Sequence, residues 1–265
     1  MNKLTLIFNL FMFNCLLAHN PQSRISLTKS GSLSNHLPTT ILTIGHRGFA
    51  GKYTENSLQA FEQAVNLGVD GVELDVWVCK TGELVVFHDR TLERLTSGVG
   101  KISDYTFSDL RKLKLPNGSQ IPTLNEVLQV VNHKCMVNIE LKGPDTAAPV
   151  ANLISEYLKK GWHAKDFMVS SFMHPELQKF HKLMPLIPFG PLTDGVMLNY
   201  SQVAQNIGAQ YLIINFEYAT KALVQDAHAH GLKLLVYTVD DLKDIAHVKA
   251  LGVDGIISNF PNHLF

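Results

Sequence analysis

Cysteine is scarce. The 265-residue chain holds three, at positions 15, 79 and 135, too few for a disulfide framework and wrongly spaced for a cysteine-based zinc site. Net charge is missing too: 23 Lys and Arg balance 23 Asp and Glu, 12 His stand besides, and the sequence pI is near 7.2. That balance leaves no electrostatic footprint for nucleic acid or an anionic membrane surface. The apolar stretch at 4–18 falls short of the roughly 20 residues that a membrane-spanning helix needs. What is plentiful is apolar residues, 46% against 17% charged, which suits a large buried core and excludes the disordered class. At about 150 residues per domain, the length leaves one or two domains open.

The first forty residues differ from the rest. Lys3 followed by the apolar stretch is the layout of a secretory signal, but Leu16 stands where a small residue would precede cleavage after Ala18. Cys15 follows Phe13 and Asn14 rather than the small residues that lipid attachment favours. Residues 1–18 therefore read as an export signal, sending the protein to the periplasm or outside, or as an apolar tail on a cytoplasmic domain. Residues 19–40, rich in Ser, Thr, Asn and Pro without a period, read as a linker. The domain itself is expected over 41–265.

From residue 41 the chain alternates short apolar runs with helical patterns. Helices are expected at 57–67, 123–131 and 147–158, the last with Val150, Leu153, Ile154, Tyr157 and Leu158 on one stripe. Strands are expected at 41–45, 71–76, 84–88, 136–140, 167–171, 186–190, 211–215, 233–237 and 255–258. NLGVDGVE at 66–73 recurs as ALGVDGII at 250–257 and, more loosely, as NIGAQYLI at 206–213. Each copy ends a helix at a glycine and turns into a strand, so the pattern fits an α/β fold of the (β/α)₈, or TIM, barrel type. Nine strands compete for eight places. Too few residues separate 71–76 from 84–88 for a parallel crossover, so these two form an antiparallel hairpin turning at Thr81-Gly82. A turn centred between them would set Asp75 opposite His88.

Side chains two apart on a strand share a face. Glu73 and Asp75 thus oppose Val72, Leu74 and Val76, and Asn138, Glu140 and Lys142 oppose Val137, Ile139 and Leu141. With the apolar faces against the helices, three carboxylates point into the barrel near its C-terminal end, where barrel active sites lie. They repel one another unless something cationic sits between them. Oxygen donors without cysteine favour Mg²⁺ or Ca²⁺ over zinc. His46-Arg47-Gly48 ends the first strand, placing a titrating group and a phosphate fork at the same end. His88-Asp89 closes the hairpin. Two histidines beside a divalent cation can supply general base and general acid for phosphodiester cleavage. The other histidines read as structural, with His174, at a helix start, left open.

The stretch HRGFAGKYTENSLQAFEQAVNLGVDGVELDVWVCKTGELVVFHDRTLERLTSGVG, followed by IPTLNEVL, NIELK, VSSF, YTVDD and GVDGIISNFP, resembles the glycerophosphodiester phosphodiesterases across roughly 41–262. The resemblance implies a TIM barrel that hydrolyses glycerophosphodiesters to glycerol 3-phosphate and an alcohol. It puts His46 and His88 on the catalytic histidines, Glu73, Asp75 and Glu140 on the metal ligands, and Arg47 and Lys142 on groups contacting the phosphate. Thr54-Glu55-Asn56-Ser57 stands where the family often has P-E-N-T. There Glu55 either supports the inner ligands or is a helix-start acid with Asn56 as cap. Tyr237, commonly Trp, either lines the glycerol pocket or fills the barrel mouth. Thr81 replaces a common Asp, which weakens the turn. Asn259 stands where Asp is common and receives no role.

The implied attacking group is the substrate's own 2-hydroxyl, giving a cyclic phosphate that water opens, and orientation then supplies much of the rate. A lysophospholipid-cleaving relative is the first rival; it needs an apolar groove at the mouth, for which 180–189 is the candidate stretch. A catalytically silent phosphate-ligand receptor is the second, disfavoured by two intact histidines. A metal-dependent sugar-phosphate isomerase fits the motifs less well. The expected partner is a small glycerophosphodiester, with no nucleic acid and no membrane span, and oligomeric state is not readable from the sequence.

Overall fold

Short polar side chains set the helix starts. In the computed structural model, which describes residues 41–265 apart from Val196, Ser57, Thr123 and Thr220 each accept a backbone N–H from the first turn of the helix that follows. Thr123 and Glu126 complete a reciprocal capping box. The helices are α1 (Leu58–Leu67), α2 (Phe107–Leu110), α3 (Leu124–Val131), α4 (Ala147–Lys159), α5 (His174–Leu183), α6 (Tyr200–Asn206), α7 (Lys221–Ala229) and α8 (Leu242–Leu251). None of the described helices is long and apolar enough to cross a membrane. The expectations for 1–18 and 19–40 fall outside the described residues.

The strands are β1 (Leu42–Gly45), β2 (Gly71–Val78), β3 (Leu84–Val86), β4 (Met136–Leu141), β5 (Phe167–Ser171), β6 (Phe189–Thr193), β7 (Tyr211–Asn215), β8 (Lys233–Tyr237) and β9 (Gly255–Ser258). All but β3 are parallel neighbours, and β1 pairs with both β9 and β2, so eight strands close a TIM barrel. Outward residues such as Val72, Leu74, Val137 and Ile139 pack under the helices in the main core. Inward residues Ile44, Met168, Leu192, Ile213, Leu235 and Ile257 fill the barrel's lower interior. The chain between β2 and α3 folds over the hairpin with a small core of its own, including Phe87, Leu92 and Ile102.

The repeated LG motif sits at the foot. Gly68, Gly208 and Gly252 have φ of 85°, 83° and 86°, the left-handed conformation that lets a helix stop and its chain turn at once into β2, β7 or β9.

Three expectations need correction. β3 does pair antiparallel to β2, but one register off: Val76 faces Val86 and Val78 faces Leu84. Cys79 and Glu83 also pair across the turn, so the loop holds three residues centred on Thr81, and the Asp75 carbonyl accepts the N–H of Phe87, not of His88. Thr81 accepts the N–H of Phe107, tying the turn to the start of α2. The fifth barrel strand, β6, is 189–193 instead of 186–190, because Leu186 is 83% exposed while Phe189, Leu192 and Thr193 are buried. Lastly, the residues 180–189 join α5 to β6 at the foot, with Phe180, Ile187 and Phe189 in the core; they form no groove at the mouth.

Candidate active site

A cavity of about 170 Å³ opens at the C-terminal ends of the strands. The structure brings His46, Arg47, Glu73, His88, Glu140, Lys142 and Tyr237 to its wall. Asp75 lies just beneath, fully buried. Glu55 stands behind Arg47, its carboxylate accepting from the guanidinium at 2.7 Å.

β2 and β4 carry the acidic centre because they lie side by side in register: Glu73 pairs with Asn138, and Asp75 with Glu140. Glu73, Asp75 and Glu140 are all buried, and each offers a carboxylate oxygen within 4.8 Å of the other two. Burial, with Asp75 and Glu140 beside it, holds Glu73 well above the usual carboxylate range. Burial and Asp75 push Glu140 up to about 7. Burial also opposes ionisation of Asp75, but Lys142 and Arg47 outweigh it and hold that carboxyl below its usual range. Lys142 Nζ lies 2.8 Å from Glu140 and 3.4 Å from Asp75, and Arg47 Nε lies 3.5 Å from Asp75. Two cations against three buried carboxylates leave the group short of positive charge. The Oδ1 of Asp75 has no hydrogen-bond partner among the described residues. An oxygen-only donor set with more buried carboxylates than cations suits a hard divalent cation.

The loop after β1 delivers two groups at once. Arg47 takes φ 50°, and its N–H donates to Glu73 Oε2 at 3.0 Å. Gly48 then passes so close to α1 that a Cβ there would lie 2.6 Å from the carbonyl carbon of Ala60. This tight turn swings the Arg47 side chain over Asp75 and Glu55. Asn56 is not the helix cap, which is Ser57; its side-chain amide donates to Asp75 Oδ2 at 2.8 Å. Glu55 also binds Arg94 through two contacts of 2.7 and 2.8 Å, so it does not act as a helix-start acid.

The two histidines are tied differently. His88 Nδ1 lies 2.6 Å from Asp89 Oδ1, and Arg94 grips the same carboxylate. Despite partial burial, Arg94 and His88 hold Asp89 down at about 2. An ionised carboxylate only accepts, so Nδ1 of His88 carries hydrogen and Nε2 is left to the cavity. His46 Nδ1 instead lies 2.7 Å from Asn259 Oδ1, and its Nε2 is 3.8 Å from Glu73 Oε2. Burial, and then Arg47, pushes His46 down to about 4; burial likewise lowers His88, helped by Lys142 and Arg47. Both shifts favour the neutral form of the imidazole.

Tyr237 lines the cavity, its hydroxyl donating to the Thr193 carbonyl at 2.8 Å and its ring edge-on to Phe172. His174 contacts the Leu192 carbonyl and stacks near Tyr200, away from the cavity wall. Two participants, Asn259 and Ser170, escape sequence reasoning, and a third, Asn138, is placed on the inward face but given no role. Asn259 touches His46, while Asn138 and Ser170 reach the cavity with buried side-chain oxygens that have no hydrogen-bond partner among the described residues. Asn138 is visible as the first of the inward residues 138, 140 and 142; the partnership of residues 46 and 259 leaves no local signal.

Against known proteins, the model of the glycerophosphoryl diester phosphodiesterase family matches residues 46–263. A glycerophosphodiester phosphodiesterase from Bacillus altitudinis is 37% identical over 229 residues, covering 82% of this chain and 94% of that protein. Among solved structures, an Oleispira antarctica phosphodiesterase in complex with the product sn-glycerol-3-phosphate superposes with a TM-score of 0.77. It is 27% identical and covers 84% of this chain and 94% of that one. A glycerophosphodiester phosphodiesterase from Thermotoga maritima is 31% identical with a TM-score of 0.69, covering 84% and 96%.

Proposed function

The chain belongs to the glycerophosphoryl diester phosphodiesterase family, and from that premise we propose that it hydrolyses glycerophosphodiesters to glycerol 3-phosphate and an alcohol at the mouth of its barrel. The observation that carries this reading is the convergence of three buried carboxylates with two histidines, each tied at Nδ1, on one cavity wall. Glu73, Asp75 and Glu140 would hold a Ca²⁺ or Mg²⁺ ion. When bound, the ion neutralises phosphate charge, including the charge that develops during displacement.

Arg47, after β1, and Lys142, after β4, seat the phosphate from either side of β2. Arg47 is itself held by Glu55, so its fork is oriented before substrate arrives. The cavity-facing Nε2 of one neutral imidazole takes the proton of the glycerol 2-hydroxyl as that oxygen attacks phosphorus. The other histidine, carrying a proton on Nε2 as the imidazolium beside the anionic phosphate, gives that proton to the departing alcohol. Water then opens the cyclic phosphate with the proton roles reversed. Tyr237 and Phe172 present aromatic surface to the carbon skeleton of the substrate.

The test is a coupled assay for glycerol 3-phosphate released from glycerophosphocholine, with and without EDTA. Release that EDTA suppresses and excess Ca²⁺ or Mg²⁺ restores is the expected result. Folded, cation-loaded protein that releases nothing from glycerophosphocholine but cleaves lysophosphatidylcholine would shift the substrate class.

A further inference from the structure

His46 has its nearest polar neighbour in Asn259, and Asn259 has a further neighbour that fixes which way round it sits. The Nδ2 of Asn259 lies 2.8 Å from Asp240 Oδ2, and its backbone N–H donates to Asp240 Oδ1 at 2.8 Å. Ser258 Oγ donates to the same Oδ1 at 3.0 Å. An amide's oxygen and nitrogen are assigned from their network, and a carboxylate accepts without donating. The amide nitrogen of Asn259 therefore belongs on the Asp240 side, which leaves Oδ1 facing His46 Nδ1 at 2.7 Å. An amide oxygen also only accepts, so the hydrogen on His46 belongs on Nδ1.

We infer that Asn259 and Asp240 are positioning residues: together they hold His46 as the Nδ1–H tautomer, with an unprotonated Nε2 turned to the reaction. Asp240 does this without touching His46. The effect passes through the orientation of one amide, between segments 213 positions apart in sequence. His88 reaches the same tautomer by a shorter route, through the carboxylate of its own neighbour Asp89. The inference rests on the proposed proton transfer by His46.

The chain of donors and acceptors makes a specific prediction. In Asp240→Asn, the new amide oxygen takes over the bonds from Ser258 and the Asn259 N–H, and the new NH₂ meets the NH₂ of Asn259. Asn259 relieves that conflict by flipping, which offers His46 a donor and favours the Nε2–H tautomer. The kcat should fall roughly 10- to 100-fold, the size of loss that follows removal of the outer hydrogen-bond partner of a metal-ligating histidine, with KM and cation affinity within about threefold of wild type. Asn259→Leu, which removes the acceptor, should fall similarly. The double variant Asp240→Asn with Asn259→Asp restores the order of donor and acceptor, because the new amide donates to the new carboxylate, whose other oxygen accepts from His46. It should recover most of the loss.

The readout independent of turnover is the ¹⁵N spectrum of the His46 imidazole at pH 7.5, which distinguishes the two neutral tautomers. The expected result is Nδ1–H in wild type and the double variant and a shift toward Nε2–H in Asp240→Asn, with kcat following. An unchanged tautomer in Asp240→Asn, or a double variant no better than the single ones, would overturn the inference while His46→Ala still reports on the histidine itself. A tautomer that shifts with kcat unmoved would overturn both this inference and the proton-transfer role of His46.

Discussion

The two ends of the barrel are built by opposite rules. At the foot, one device recurs three times: a helix stops on a left-handed glycine, at 68, 208 or 252, and the chain turns straight into a parallel strand. At the mouth, polar groups are buried without full satisfaction. The Nε of Arg47, Oδ1 of Asp75, Oδ1 of Asn138 and Oγ of Ser170 lack hydrogen-bond partners among the described residues. Unsatisfied buried groups cost about 1–3 kcal/mol each. Of these, Arg47 Nε and Asp75 Oδ1 still have ion-pair partners in Asp75 and Lys142, whereas Asn138 and Ser170 open onto the cavity, where a ligand can satisfy them. Stability is concentrated at one end of the barrel and chemistry at the other.

The comparison breaks most visibly through the histidines. His46→Ala or His88→Ala should cut kcat by roughly 10²–10⁴-fold, the range of general acid–base catalysis, and leave the melting temperature and cation affinity close to wild type. Steady-state kinetics and calorimetric titration check this, and near-wild-type turnover in His46→Ala would remove the acid–base assignment. Next in size is the acidic centre. Glu73→Gln should lower cation affinity by more than the roughly 10- to 100-fold typical of losing an outer partner. In the wild type, affinity should fall as pH drops below about 7, since Glu140 is pushed up to that value and protons compete for it there rather than near the usual carboxylate pKa. The sign is fixed: protonated carboxyls bind cations poorly, so binding strengthens as pH rises through 7. Titration between pH 5.5 and 8.5 reads the slope, and a flat profile would contradict it.

Foot substitutions should do the reverse, and more modestly. Gly68→Ala meets no atom within 4 Å of its new Cβ but keeps φ near 85°, so only backbone strain is added, about 1–2 kcal/mol. Denaturant unfolding should register that loss while kcat and KM stay within twofold of wild type. A change in kcat beyond that would blur the division between the two ends.

How much of this could be read in the sequence follows the same division. The foot was legible because its device repeats: three copies of one motif announce parallel βα units and the αβ turns between them. The acidic centre was legible because strand alternation is local, so Glu73, Asp75 and Glu140 declare their face from their neighbours. The hairpin was legible in kind but not in register, since a three-residue loop and a two-residue loop look alike until Cys79 is seen to pair with Glu83. β6 was misplaced by three residues because Leu186 and Ile187 read as strand, although Leu186 points to solvent. What stayed hidden depends on closure of the barrel. Asn259 meets His46 only because β9 returns beside β1, and Asn56 reaches Asp75 only through the turn at Arg47. Glu55 could be read two ways until Arg47 and Arg94 were seen to share it.

The most direct test is thermal unfolding of wild type and Glu73→Gln in EDTA and then in excess Ca²⁺ or Mg²⁺. A ligand that binds only the folded state raises its stability, so wild type should melt several degrees higher with cation, while Glu73→Gln should respond little. Equal responses from the two proteins, or none from wild type, would mean that the mouth's clustered carboxylates do not await a cation, and the division between the two ends would fail.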